Sequence, residues 1–396
     1  MSKFNEYNFS GQKALIRVDF NLPMTEGNEI SDDNRMRSAL PTIQKILKDG
    51  GSVILMSHLG RPKDGPTDKF SLRHVVDHLS GLLQMPVLFS EDCIGQKASM
   101  ASESLKPGEV LLLENLRFYK QEEKGDESFA EQLSKLGDVY VNDAFGTAHR
   151  AHASTTVVAN FFPSDKKMMG LLMEAEINSA DRLLHADARP FTAIIGGSKV
   201  SDKILILEKL LDKATDIVIG GGMAYTFMKA QGGKIGSSIC EDDRIETANK
   251  LLKDADERGV CIHLPSDSLI ADKFDADANT SHSPSNNIPD GWMGLDIGQY
   301  ACEQFSNVIS RSKTIFWNGP MGVFEMPKFQ HGTKTVAEAV ANATAEGAFS
   351  LIGGGDSAAA VIEFGYADKV SYVSTGGGAL IEYFEGKDLP GIAALK

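Results

Sequence analysis

The chain has 396 residues, 42% apolar and 24% charged, with 54 acidic against 40 basic side chains and a net charge of -14. That length exceeds one ordinary core and points to two domains, and the composition excludes disordered and collagen-like classes. The acidic balance argues against nucleic acid or an anionic membrane as partner, since both need a basic footprint. No apolar run approaches the ~18 residues of a membrane span, and MSKFNEYNFS lacks a basic-then-apolar leader. Cys93, Cys240, Cys261 and Cys302 are far apart with no C-x-x-C pair, which suits a reducing compartment. A cytoplasmic protein is the expectation.

Up to about Gly170 one event recurs: a short apolar strand ends in polar residues. ALIRV leads to Asp19-Phe20-Asn21, SVILM to Ser57-His58-Leu59-Gly60-Arg61, EVLLL to Glu114-Asn115-Leu116-Arg117, and DVYV to Asn142-Asp143 and AFGTAHRAHAS. Amphipathic patterns at Arg37 to Lys48, Leu72 to Leu83 and Ser128 to Leu136 separate them. Alternating strands and helices mean a parallel sheet with right-handed crossovers, whose ligands bind at the carboxyl ends of the strands. All four polar endings therefore face one rim. It gathers His58, Arg61, Arg117 and Arg150, with Arg35 just before the helix that follows the first strand. One such arginine is ordinarily a solvated charge. Several guanidiniums on one rim repel one another unless an anion pairs with them, so the rim reads as a site for a small, multiply charged acid. Up to Gly170 there are 20 basic and 23 acidic residues, against 20 and 31 beyond, so this half is the less hostile to anions. His149 and His152 stand three apart without a third ligand at a familiar spacing, which favours hydrogen-bonded histidines over a metal.

Residues 160 to 190 change character: FFPSDKKMMG is loop-like, and LLMEAEINSADRLLHAD reads as one long helix before Arg189-Pro190. It marks a connector. The expected division is a first lobe over 1–170, an interdomain helix over 171–188 and a second lobe over 189–386, with an apolar tail, 387–396, that docks rather than frays.

In the second lobe strand-glycine-helix units repeat: TAIIGGSK, DIVIGGGMAYTFMKA, FSLIGGGDSAAAVIEF and VSYVSTGGGALIEYF. In the first, Ser198 stands at an N-cap position before ILILEKLL, which places Lys199 and Lys203 on one helix face beside an anion held by Gly196 and Gly197. The spacing is not that of a Walker A loop. Each cluster, including Gly220-Gly221 and Gly354-Gly355, suits either close helix–sheet packing or a phosphate; four on one rim favour a nucleotide. Gly353 to Ala358 formally match G-x-G-x-x-A, yet Ser374 and Thr375 stand where a dinucleotide enzyme needs its ribose acid. Asp356 suits a Mg2+ bound by one carboxylate plus phosphates, or a plain cap. Glu325, after the strand TIFWN, suits ribose hydroxyls or the open surface. LPSDSLIADKFDADA is β-rich and reads as a side sheet.

Twelve ordered blocks resemble the phosphoglycerate kinase family over essentially the whole chain. They are VDFNLP, SHLGRP, ENLRF, VNDAFGTAHRAHAS, GGSKVSDK, GGGMAYTF, ADKFDADA, GWMGLDIG, WNGPMGVFE, GGGDS, STGGGA and LPGIAAL. The resemblance implies two Rossmann-like, doubly wound parallel-sheet lobes joined by a long helix, in a cytosolic glycolytic monomer whose tail returns to the first lobe. By resemblance, Asp19, Phe20, Asn21, Arg35, His58, Leu59, Gly60, Arg61, Arg117 and Arg150 hold 3-phosphoglycerate. Lys199, Lys203, Gly220, Gly221 and Gly354 to Ser357 lie along the nucleotide, Asp356 holds Mg2+ and Glu325 the ribose. Arg35, Lys199, Lys203, Gly355 and Gly378 serve the phosphoryl group in transit. Three positions depart from the pattern. Ser357 replaces a common Thr, Leu380 a frequent Ser after GGGA, and Gln299 a usual Pro after DIG.

The implied reaction passes a phosphoryl group between ATP and the carboxylate of 3-phosphoglycerate. A carboxylate with a pKa near ~4 is already ionised at neutral pH, so no general base is needed. What remains is positioning and charge neutralisation, with lobe closure to exclude water. The rival readings are a non-catalytic two-lobed protein that binds a phosphorylated metabolite and, behind it, a nicotinamide-dependent oxidoreductase.

Overall fold

The computed structural model describes residues 3–63 and 65–396. The chain divides into two compact units, the chain up to Asn178 together with Gly386–Lys396, and Ser179–Glu385.

In the first unit six strands form one parallel sheet. They are β1 (Lys13–Arg17), β2 (Ser52–Met56), β3 (Val87–Ser90), β4 (Val110–Leu113), β5 (Val139–Asn142) and β6 (Lys167–Met169), in the order β3-β4-β2-β1-β5-β6. The central strands are continuous aliphatic runs because both faces of the sheet are covered, and β2 is buried at every position. Phe4, Phe9, Ile16, Ile43, Leu55 and Leu79 fill one face beneath the helix Asn34–Lys48. Two strands depart from the sequence expectation. FFPSDKKMMG is not all loop, since Lys167–Met169 pairs with β5 through Tyr140, Val141 and Asn142. β3 pairs with β4 through its whole length. Both are edge strands too short to carry a periodic signal of their own. The tail belongs to this unit: the Gly391 N–H donates to the Ala148 carbonyl at 2.9 Å, and Asn142 Nδ2 to the Gly391 carbonyl at 3.3 Å.

The second unit starts with β7 (Phe191–Ile195), β8 (Asp216–Ile219), β9 (Lys234–Ile235) and β10 (Cys261–His263). Then come β11 (Asp267–Ala271), β12 (Thr280–Pro284), β13 (Asn287–Ile288) and β14 (Met293–Ile297). The last three are β15 (Thr314–Asn318), β16 (Phe349–Gly353) and β17 (Tyr372–Val373). Six build a parallel sheet in the order β10-β8-β7-β15-β16-β17; the expected side sheet is antiparallel, β12-β11-β14, with β13 and β9 paired beside it. The core joins Ile194, Val218, Phe305, Ile315, Trp317, Val340 and Ile352.

The connector helix is Leu171–Leu184, shorter than its apolar pattern. It ends at Leu184, ahead of Arg189-Pro190, where the proline restricts only Arg189. The boundary between the units falls within it. A second correction concerns GGSKVSDK: the helix begins only at Ile204, so Ser198 is no N-cap, and Lys199 and Lys203 lie on a loop instead of a shared helical face. Glu241, distant in sequence, accepts from the Ser201 N–H at 3.0 Å and the Ser201 hydroxyl at 2.5 Å and ties the loop down.

Candidate active site

In an open parallel sheet the crevice lies where strand order reverses. In the first unit that is between β1 and β5, and in the second between β7 and β15. Each reversal carries a polar constellation.

At the carboxyl end of β1, Asp19 receives Arg35 at 3.2 Å and the Asn21 N–H at 3.3 Å. The same guanidinium donates to the Asn21 carbonyl at 3.2 Å, and Asn21 Oδ1 accepts from the Gly60 N–H at 2.8 Å. Arg117 donates to the Gly60 carbonyl at 3.0 Å and lies 3.4 Å from Glu123. Asn115 pins the Leu59 carbonyl at 2.7 Å. Asp19, Asn21, Arg35, His58, Leu59, Gly60 and Arg117 are thus one connected assembly. Phe20 and Leu59 send their side chains into the core and shape the loops, the Phe20 N–H donating to the Ser57 hydroxyl at 2.8 Å. Arg61 and Arg150 are exposed, and neither pairs with a carboxylate among the described residues.

The electrostatics follow from burial. Desolvation pushes the Asp19 carboxyl up, but His58, Arg35, Arg17 and the Asn21 N–H outweigh it and hold it below the ordinary range. Burial drives His58 down to about 3 against the pull of Asp19, and Arg17, Arg117 and Arg35 push the same way. His152 is lowered to about 4 by burial and neighbouring guanidiniums. Sequence reasoning passed over Arg17, which is almost wholly buried at the end of β1. A cation inside an otherwise apolar central strand was the available signal, because such a charge is kept only if paired.

At the second reversal a cavity of about 410 Å³ is lined by Gly197, Gly221, Tyr225, Phe274, Leu295, Pro320, Val323, Glu325 and Asp356, among others. The glycines there divide by role. Gly196, Gly221 and Gly319 interlock three loops: a Cβ at Gly196 would enter the Gly319 and Pro320 carbonyls, and one at Gly221 would sit 2.6 Å from the Gly197 carbonyl. These serve packing. Gly355 meets nothing within 4 Å, so it leaves room for a ligand. Gly354, at φ +91, lets the chain turn from β16 into the helix Gly355–Glu363, whose first turn carries exposed Asp356. Gly378 opens the helix Gly378–Phe384.

Lys203 donates to Asn318 Oδ1, while Asn318 Nδ2 is buried with no partner among the described residues. Burial lowers the Lys203 ammonium, opposed by Asp202 and Asp356. Asn318 is the second residue that sequence reasoning missed: WNGPMGVFE was noted, but its asparagine was given no part. Lys199 and Glu325 are exposed. Gly220 bonds the Ile195 carbonyl at 3.0 Å. The Ser357 hydroxyl is committed to the Gly319 N–H at 2.5 Å and steadies the loop after β15. Asp296, in the cavity wall, is raised to about 8 by burial despite accepting from Gly332 and Ile297. Leu380 is fully buried and packs against Gly353, so the hydroxyl it replaces would have faced core. Gln299 is the first residue of the helix Gln299–Ser310, a position where proline is readily accepted.

Two doubly wound parallel-sheet units, one with a guanidinium-bearing rim and the other with an open glycine turn and two lysines beside a cavity, define a two-lobed α/β protein built for anionic ligands. The phosphoglycerate kinase family model matches residues 4–387. A phosphoglycerate kinase of Porphyromonas gingivalis is 53% identical, with 99% of each chain covered. The solved phosphoglycerate kinase of Coxiella burnetii superposes with a TM-score of 0.85 at 39% identity, covering 99% of this chain and 97% of that one. That of Pyrococcus horikoshii gives 0.87 at 32%, covering 100% and 98%. The chain belongs to the phosphoglycerate kinase family. It is accordingly an enzyme, a phosphotransferase of glycolysis, and the binding-protein and oxidoreductase readings fall.

Proposed function

We propose that the rim after β1 and β2 takes 3-phosphoglycerate, through Asp19, Asn21, Arg35, His58 to Arg61, Arg117 and Arg150, and that the cavity after β7 and β15 takes ATP or ADP. The observation that carries the second assignment is Asn318, a buried donor without a partner among the described residues, beside Lys203 and Gly354, since an orphaned buried N–H is costly unless a ligand satisfies it. A phosphate oxygen is an acceptor that fits beside the cationic Lys203.

In the transfer a carboxylate oxygen of the acid bonds to the γ-phosphorus as the bond to the ADP oxygen breaks, and glycolysis runs the step in reverse. No proton moves. Arg35, Lys199 and Lys203 offset the charge on the equatorial oxygens, and backbone N–H groups at Gly355 and Gly378 face the phosphoryl path. Mg2+ fits the donor set. No cluster of three or more ligating side chains forms among the described residues, but the exposed carboxylate of Asp356 suits an ion held mainly by phosphates. When bound, that ion would neutralise charge shared between the β- and γ-phosphates. Glu325 would accept from the ribose. The four cysteines are free, in keeping with a cytoplasmic enzyme, and we take it to act as a monomer. Among the described residues no helix is long and apolar enough to cross a membrane.

The test is an assay with ATP, Mg2+ and 3-phosphoglycerate that reads ADP through a coupled enzyme. ADP release should require all three. Release that ignores the acid would overturn the assignment.

A further inference from the structure

Arg17 is 1% exposed and Glu122 is also 1% exposed, yet they do not touch directly. Ser154 stands between them: Arg17 Nε donates to Ser154 Oγ at 2.8 Å, and Ser154 gives its hydroxyl and its N–H to the two Glu122 oxygens at 2.5 and 3.0 Å. A second arm of the guanidinium bonds the Val18 carbonyl. The third reaches His58 Nδ1 at 3.2 Å. An arginine has only donors and does not lose its proton in proteins. The nitrogen facing it must therefore be the acceptor, and the proton of a neutral imidazole must sit on Nε2.

We propose that Arg17 is the positioning residue that fixes His58 as a neutral Nε2–H tautomer, so that the ring meets an anionic oxygen of the acid as a donor whose state is constant around neutral pH. The proposal rests on the reading of His58 as a contact of the phosphorylated acid. Every charged group facing the ring bears on it. Arg17 from β1, Arg35 from the helix Asn34–Lys48 and Arg117 from the loop after β4 all oppose an imidazolium. Asp19 favours one, but its Oδ1 lies 3.8 Å from Nδ1, beyond hydrogen-bond reach, and its carboxylate is already engaged by Arg35 and Asn21. Three cations and burial prevail over one distant carboxylate. Glu122 completes the arrangement by compensating the Arg17 charge through Ser154, which lets a guanidinium remain buried so close to a neutral ring.

The free, full-length protein labelled with 15N decides the assignment through long-range proton–nitrogen correlation of its imidazoles, with the His58 signals identified by their loss in His58→Ala. From about pH 5 to 8 the ring should keep an unprotonated Nδ1 and a protonated Nε2. A proton on Nδ1, or a titration inside that window, overturns the proposal. Arg17→Lys keeps the charge but lacks the fork that spans both Ser154 and His58. In its spectrum the His58 Nδ1 should be partly protonated, both neutral tautomers being populated once the fork is gone. A ring that keeps only the Nε2–H tautomer in Arg17→Lys means that Arg17 only supports the fold, which refutes the positioning role. If Arg17→Lys does not fold, the wild-type spectrum still decides. An unchanged KM in His58→Ala instead refutes the acid contact on which the proposal rests, and that failure is read from kinetics, separately from the spectrum.

Discussion

Asp143 offers a measurable test of how the first unit is held together. It stands just past β5 with no exposed surface, accepts from the Met173 N–H at 3.1 Å through Oδ1, and leaves Oδ2 without a hydrogen-bond partner among the described residues. It caps the start of the helix Leu171–Leu184, and only a glycine at 170 leaves room for it, because a Cβ there would fall on the carboxylate. Burial raises its pKa from 3.8 to about 7, the Thr42 hydroxyl and the N–H groups of Met173 and Leu172 opposing the rise and Glu174 adding to it. The folded state therefore holds this proton more tightly than the unfolded chain does. Its contribution is fully present below about pH 4 and is lost as pH rises through 7. Three pKa units correspond to about 4 kcal/mol in all, of which roughly 2 to 3 kcal/mol falls between pH 5 and 8. Asp143→Asn keeps the Oδ1 acceptor and cannot ionise. Relative to the wild type it should gain roughly 2 to 3 kcal/mol of stability between pH 5 and pH 8. Urea unfolding followed by far-ultraviolet circular dichroism reads the change. Wild-type and variant stabilities that run parallel from pH 5 to 8 would refute the reasoning.

Three further outcomes are expected. Lys199→Ala should lower kcat by roughly 10²-fold or more with the fold retained, the scale of losing one preorganised transition-state donor; stopped assays at saturating substrates check it, and an unchanged kcat removes Lys199 from the site. Asn318→Ala should raise the KM for nucleotide by about 10-fold or more, as expected for a hydrogen bond to a charged group worth ~1.5–3 kcal/mol, while the KM for the acid stays put; equal rises in both would make Asn318 a structural residue. Arg35→Ala should act mainly on kcat and Arg150→Ala mainly on the KM for 3-phosphoglycerate, and steady-state kinetics with the reverse pattern would exchange their roles.

The architecture was legible because both sheets are built from apolar strands covered on two faces, and such runs identify themselves without tertiary information. The rim was legible for a related reason: a polar stretch at the end of each of four apolar strands has one place to go once the strands are parallel. What the sequence hid was set by partners far along the chain. Lys167–Met169 is a strand only because Tyr140 to Asn142 present free backbone groups to it. The loop after GGSK is tied down by Glu241, in an unremarkable CEDD stretch, which accepts from the Ser201 N–H and hydroxyl. Local propensity had no term for that tertiary contact.

The displaced helix start also alters the chemistry at the nucleotide end. Had Lys199 and Lys203 occupied a first helical turn, the dipole would have opposed both cations, and their presence would have needed a bound anion to explain it. On a loop held by Glu241 that conflict is removed for Lys199, while Lys203 still stands at the N-cap of Ile204–Leu210. Lys203 is instead placed by Asn318 at the end of β15, so its position is fixed by the strand that borders the sheet reversal. A dipole that remains for a phosphate is that of Gly355–Glu363, whose first turn begins with the open glycine Gly355 and carries Asp356. A carboxylate there would compete with a bare phosphate. A divalent cation bound at Asp356 would turn that competition into attraction.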